Sequence, residues 1–161
     1  MSPTTLDGPT LSASTAPAPL SDGSLRVHLD DQWNGLNGGP LGGYTMAAVL
    51  RALTISMPGG TPLSATATFL RPATVGDLDV TPEIVRTGRT LSVGAARAVQ
   101  NGREIMRLTA TFGLAAERSG PTMPRGSAPG LPRPHECVDP LGGASIPGVT
   151  VSDRVEYRFV E

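Results

Sequence analysis

The stretch GGPLGGYTMAAVLRALTISMPGG, residues 38–60, decides how this 161-residue chain must fold. Between Gly43 and Met57 the residues Met46, Val49, Leu50, Leu53 and Met57 recur at helical spacing, and Pro58-Gly59-Gly60 ends the run. The opposite side is not polar: Tyr44, Ala47, Ala48 and Ala52 share it with Arg51, the one charged residue in the segment. A helix that is apolar on most sides is buried on most sides. It must be enclosed by other elements.

The flanking sequence supplies strands to enclose it. Upstream, Leu25, Val27 and Leu29 alternate with Arg26, His28 and Asp30, the period of a half-buried strand, which places His28 on the solvated face. Downstream, residues 63–70 alternate Leu63, Ala65, Ala67 and Phe69 with Ser64, Thr66 and Thr68 until Arg71-Pro72 ends the ladder. Residues 78–86 set Leu78, Val80 and Ile84 against Asp79, Thr81 and Glu83. Residues 91–100 and 103–112 flank Asn101-Gly102, a pair suited to a type I′ turn in which both central residues need positive φ. Strand, buried helix and antiparallel strands in this order predict α+β architecture, a curved antiparallel sheet wrapped around one central helix. One sheet cannot cover such a helix on all sides, so a second sheet is expected, from another copy or from a second module.

The remaining segments read differently. Residues 1–23, rich in Ser, Thr, Pro and Ala, have no apolar period and are expected to be a disordered leader. The domain then occupies residues 24–114. Residues 115–150 read as a Pro/Gly-rich linker, and residues 151–161 resume alternation with Val155, Tyr157 and Phe159, the expected first strand of an incomplete second module. That strand is expected to pack only weakly against residues 25–113.

Composition narrows the function. With 13 basic residues, all arginine, and 14 acidic ones, the net charge of −1 leaves no electrostatic footprint for nucleic acid or an anionic membrane surface. The single Cys137 excludes an intramolecular disulfide and a multi-cysteine metal site, so no metal is expected. No apolar run reaches the ~18 residues of a membrane span, and residues 1–20 lack a signal-peptide pattern. A cytoplasmic protein is the expectation.

The segments GGPLGGYTMAAVLRAL (38–53), LSATATFLRPATVGDLDV (63–80) and VRTGRTLSVGAARAVQNGREIMRLTATFG (85–113) resemble, in order and spacing, the amino-terminal module of acyl-CoA thioesterase II and related double hot-dog thioesterases. The resemblance implies a hot-dog fold followed by the start of a second hot-dog module. It also implies an acyl-CoA substrate hydrolysed to free acid and CoA without a cofactor, and a partner in the second module or another copy of the chain.

Thioester hydrolysis needs a polarised carbonyl and an activated water or nucleophile. The free N–H groups at a helix amino terminus can supply the first. Gly42 and Gly43 stand where such donors would be, although the pair also suits close helix–sheet packing. Residues 33–57 contain no Asp, Glu or His. In the family pattern the catalytic Asp, Thr and Gln lie in the second module, and none carries over to a position here. Asp31 is the fallback base, or with Asp30 it closes the first strand and caps the loop. Trp33, Asn37 and Tyr44, around the glycine loop, are candidate substrate contacts. Arg71 either meets a CoA phosphate or makes a strand-end ion pair. The alternative to an enzyme is a non-catalytic acyl-binding or structural module, inactive as this chain alone.

Overall fold

In the computed structural model, residues 9–113 and 126–160 are described. Parts of the expected leader (residues 1–8) and linker (115–125), together with Glu161, lie outside them.

The elements are α1 (Leu11–Ser14), β1 (Ala18–Pro19), β2 (Leu25–Leu29), α2 (Gly42–Ser56), β3 (Thr61–Phe69), β4 (Gly76–Arg86), β5 (Leu91–Gln100) and β6 (Arg103–Gly113). The strands form one six-stranded sheet in the order β1-β2-β4-β5-β6-β3, every neighbouring pair antiparallel. The sheet wraps the helix, which touches β2, β3, β4, β5 and β6. This is the expected hot-dog architecture.

Alternation fixes which face of each strand meets the helix. On β2, Leu25, Val27 and Leu29 are buried while Arg26 and His28 face solvent. Leu78 and Val80 of β4 and Met106, Leu108, Ala110 and Phe112 of β6 join them, packed against Ala48, Val49, Ala52 and Leu53 of α2. β5 turns Gly94, Ala96 and Ala98 to the same side. These small residues let the helix approach closely: a Cβ at Gly94 would lie 2.7 Å from Met57 Sδ and 2.9 Å from Leu53 Cδ1. The β5–β6 hairpin turns at Asn101 (φ 52) and Gly102 (φ 71), as the type I′ reading requires.

Several expectations need correction. Ile84, set by alternation on one face with Leu78 and Val80, does not share their burial and is 50% exposed. It pairs with Gly94, where the helix is ending, and the ladder shifts register just beyond it. The helix is buried along one stripe, Tyr44, Thr45, Ala48, Val49, Ala52 and Leu53, rather than on most sides. A single sheet covers a single stripe, and Ile55 on the far side is 56% exposed.

The described part of the expected leader is ordered. Thr10 caps α1 by accepting a hydrogen bond from the Ala13 N–H, β1 pairs with β2, and Ser14 and Thr15 are buried. Polar side chains account for this order: Arg51 on α2 donates to the Ser12 carbonyl and, at 3.1 Å, to Thr15 Oγ1.

Residues 150–153 form a 3-10 turn instead of opening a strand, and residues 155–160 are largely exposed apart from an isolated bridge between Val138 and Phe159. Val149 and Val151, each 8% exposed, are buried instead, and the turn bonds to residues 31–34. Specific packing against residues 25–113 is thus made by residues 149–154, while residues 155–160 stay largely exposed, as weak packing of that stretch implies. Among the described residues no strand ladder takes up Val155, Tyr157 and Phe159, and the preceding Val149 and Val151 supply the buried apolar surface of this segment.

Candidate active site at the amino terminus of the central helix

The site is a loop before it is a helix. β2 ends at Leu29, and Asp30 accepts a hydrogen bond from the Gln32 N–H at 3.0 Å, capping a 3-10 turn over Asp31–Trp33. The capping reading of the Asp30-Asp31 pair thus holds for Asp30. The chain then leaves over residues 34–40 and returns: the Leu41 N–H donates to the Trp33 carbonyl at 2.9 Å, Asn34 bridges to Pro40, and the Gly35 N–H donates to the Gly39 carbonyl at 2.9 Å. Glycine is required at two points of this excursion. Gly38 takes φ 72, and a Cβ on Gly39 would sit 3.2 Å from the Ala73 carbonyl oxygen.

The return leg delivers Leu41 in an extended conformation (φ −59, ψ 141) as the N-cap of α2, with no side chain capping the first turn. The N–H groups of Gly42 and Gly43 fall in the first turn, where a helix provides no backbone acceptor. A Cβ at Gly42 would meet the Phe69 ring at 3.4 Å, whereas at Gly43 nothing lies within 4 Å. Gly42 therefore packs closely under an aromatic ring, as the helix–sheet packing reading expects, and Gly43 opens outward.

The remaining candidates fall into two groups. Trp33 and Tyr44 are brought together, ring centroids 6.0 Å apart. Tyr44 is 3% exposed; its hydroxyl donates to the Ser14 carbonyl at 3.0 Å and accepts from the Asp30 N–H at 3.2 Å. Burial pushes its phenol above the ordinary value. The Trp33 indole N–H donates to Ser14 Oγ at 3.1 Å, and the Arg154 guanidinium lies 5.6 Å from its ring centroid. These two aromatic side chains are thus occupied in anchoring the loop to α1 and α2. Asn37 is exposed near the tip of the loop.

Asp31 is exposed, its carboxylate accepting from Gln32 Nε2 at 3.1 Å. Arg71 follows β3, two residues beyond Phe69, and donates to the Glu104 carbonyl at 2.7 Å. The Glu104 carboxyl is held below its usual range, chiefly by the Arg107 hydrogen bond, with Arg97 and Arg71 adding to the field. His28 pairs with Asp77 at 2.8 Å on the solvated face of the sheet, as its alternation implied.

Sequence reading missed Phe69 as a wall of the site, and Ser14, Thr150 and Arg154 as its supports. Phe69 was legible as a strand residue, but nothing marked its strand as the neighbour of Gly42. Ser14 sits in a stretch without apolar period. Thr10 before Leu-Ser-Ala was the available signal, a short helix N-cap.

Residues 29–113, more than half the chain, match the acyl-CoA thioesterase N-terminal domain family. No curated protein sequence matches the chain. Among solved structures it is similar to a conserved hot-dog-fold protein from Alicyclobacillus acidocaldarius, with 25% identity and a TM-score of 0.74 over 88% of this chain and 53% of that one. A candidate thioesterase II from Thermobifida fusca is also 25% identical, with a TM-score of 0.68 over 81% of this chain and 49% of that one. The tesB protein of Mycobacterium avium subspecies paratuberculosis shares the fold at 22% identity, with a TM-score of 0.58 over 74% of this chain and 48% of that one. The chain spans about half the length of these structures. With the glycine loop, α2 and strands β3 to β6 inside the matched span, the chain belongs to the acyl-CoA thioesterase N-terminal domain family.

Proposed function

We propose that this chain forms one half of an enzyme that hydrolyses acyl-CoA thioesters to free acid and CoA. The observation that carries this reading is the amino terminus of α2, where Gly43 is open and exposed and no side chain caps the first turn. A thioester carbonyl placed there develops negative charge as the tetrahedral intermediate forms. The Gly42 and Gly43 N–H groups, with the partial positive end of the helix behind them, stabilise that charge. Phe69 and Leu41, 51% and 41% exposed, give apolar walls beside the acyl group. Asn37 and Arg71, both exposed, are the polar side chains assigned to the CoA portion, with Trp33 and Tyr44 serving to hold the loop.

The base or nucleophile comes from a second hot-dog unit, either another copy or a second module. Residues 33–57 carry no ionisable base apart from Tyr44, whose buried hydroxyl is already engaged. The same observation favours a second reading, in which this chain alone is a non-catalytic docking half. A cytoplasmic setting fits both; no helix among the described residues is long and apolar enough to cross a membrane.

Thiol release from a fatty acyl-CoA tests the reading. The 161-residue chain is expected to turn over poorly, and a protein in which it is joined to a second hot-dog module to be active. In that active protein Gly42→Pro removes one donor while sparing the helix, since proline suits the first helical position and Leu41 already has the extended conformation that precedes it. The rate should fall about 10²- to 10³-fold with the melting temperature retained. Full activity in a folded Gly42→Pro protein excludes Gly42 as a donor, and robust turnover by the 161-residue chain that is lost on Asp31→Asn moves the base into this half.

A further inference from the structure

The glycine loop is held from outside by a segment more than a hundred residues away in sequence. Thr150 makes two bonds to it: its hydroxyl donates to the Asp31 carbonyl and accepts from the Asn34 N–H at 2.9 Å. The next residue adds a third, as the Val151 N–H donates to the Asn34 carbonyl at 3.1 Å. Arg154 closes over the other side. Its guanidinium donates to Gln32 Oε1, lies 5.6 Å from the Trp33 ring centroid, and reaches the Pro9 carbonyl at 3.4 Å. Val149 and Val151, 8% exposed, anchor the turn between these contacts.

What Thr150 and Val151 grip is the outgoing leg of a closed loop. Asn34 bridges to Pro40, and the Trp33 carbonyl accepts from the N–H of Leu41, the N-cap of α2. Thr150 and Val151 thus bond to Asn34, and the carbonyl of its chain neighbour Trp33 bonds to Leu41, so two sets of hydrogen bonds joined by one peptide unit link the segment to the N-cap of the helix. A glycine-rich loop has little rotamer or steric restriction of its own. Its geometry has to be imposed.

We propose that residues 149–154 form a strap whose Thr150 and Arg154 are positioning residues, fixing the glycine loop and through it the amide groups at the start of α2. The catalytic part of this inference rests on the proposed role of those amides in thioester hydrolysis; the mechanical part does not. The strap acts by limiting the positions open to Leu41, Gly42 and Gly43 before substrate arrives, because donors aimed in advance at developing charge need no reorganisation during the reaction.

The chain has one tryptophan, Trp33, so its emission reports strap contact directly. In the full chain, Thr150→Val and Arg154→Gln should shift Trp33 emission to the red and raise its quenching by acrylamide, and Thr150→Val should speed hydrogen exchange at Leu41. Thr150→Ser keeps the hydroxyl and should return all three to wild type. Unchanged emission and exchange in a folded Thr150→Val chain overturns the strap, and loss of both in Thr150→Ser as well reduces Thr150 to a packing residue and overturns its hydrogen-bonding role. In the active two-module protein, Thr150→Val should lower kcat about tenfold with KM kept; unchanged kcat with altered exchange removes the catalytic part. If no two-module version hydrolyses thioesters, the functional reading fails while fluorescence and exchange still decide the strap.

Discussion

Tyr44 shows how one residue can serve the fold at the place where sequence reading assigns it to the ligand. Its ring stands between Trp33 and α2, and its hydroxyl joins three segments: its own helix, Asp30 at the end of β2 and Ser14 in α1. Replacing it with phenylalanine strands the Asp30 N–H and the Ser14 carbonyl and should cost about 1–3 kcal/mol at neutral pH. Burial, the main cause, raises its phenol above the ordinary value of 10.0. The unfolded phenol ionises first, so the contribution is whole below about pH 10 and is lost as pH rises through the folded value. Thermal melts from pH 7 to 11 should show wild type losing stability above about pH 10 and Tyr44→Phe, less stable at neutral pH, losing less of it there. Parallel curves would mean that the hydroxyl is not held as the structure places it. The sequence groups Trp33, Asn37, Gly43 and Tyr44 around one loop but does not show how they divide between its two sides. Asn37 and Gly43 face outward while Trp33 and Tyr44 face inward, and that depends on the Ser14 and Arg154 contacts, which no local pattern encodes.

Elements were far more legible than contacts, for a physical reason visible in β5. Its Asn-Gly turn and the alternation of its neighbours are local signals, and they set the hairpin and the register Gln100↔Arg103. That its Gly94, Ala96 and Ala98 form the floor for α2 follows only once the helix is laid across them. A side chain at Gly94 meets the Met57 sulfur and the Leu53 methyl, both flexible ends, so Gly94→Ala should be absorbed at modest cost. Gly94→Val adds branches that those two side chains cannot both avoid and should lose about 1–3 kcal/mol in denaturant unfolding. Equal stability for Gly94→Val and wild type would show that the helix does not sit as close as the geometry requires. The same distinction explains the two misread ends. Polar contacts order residues 10–15, and the alternation at residues 155–159 has no neighbouring strand among the described residues to give it meaning.

At the scale of the molecule, the two edges of the sheet are built differently. One is closed by β1, two residues long and ending in Pro19, a short edge that offers little to an incoming strand. The other is β3, nine residues that pair with β6 on one side and, among the described residues, with no strand on the other. An open edge of that length is a template for pairing. Phe69 beside the helix is 51% exposed, Leu63 at the register shift near the start of the strand is 37% exposed, and the uncovered side of α2 adds Ile55. A net charge of −1 does little to oppose association. The chain is therefore expected to self-associate through β3. In a twofold pairing of identical edges, Thr66→Lys and Thr68→Lys together put like charges on facing strands without touching the buried stripe of the helix. Sedimentation should show concentration-dependent association of the wild-type chain and a monomeric, equally folded double variant. Strictly monomeric behaviour of both would rule out β3 as an avid edge, and undiminished association of the double variant would move the interface elsewhere.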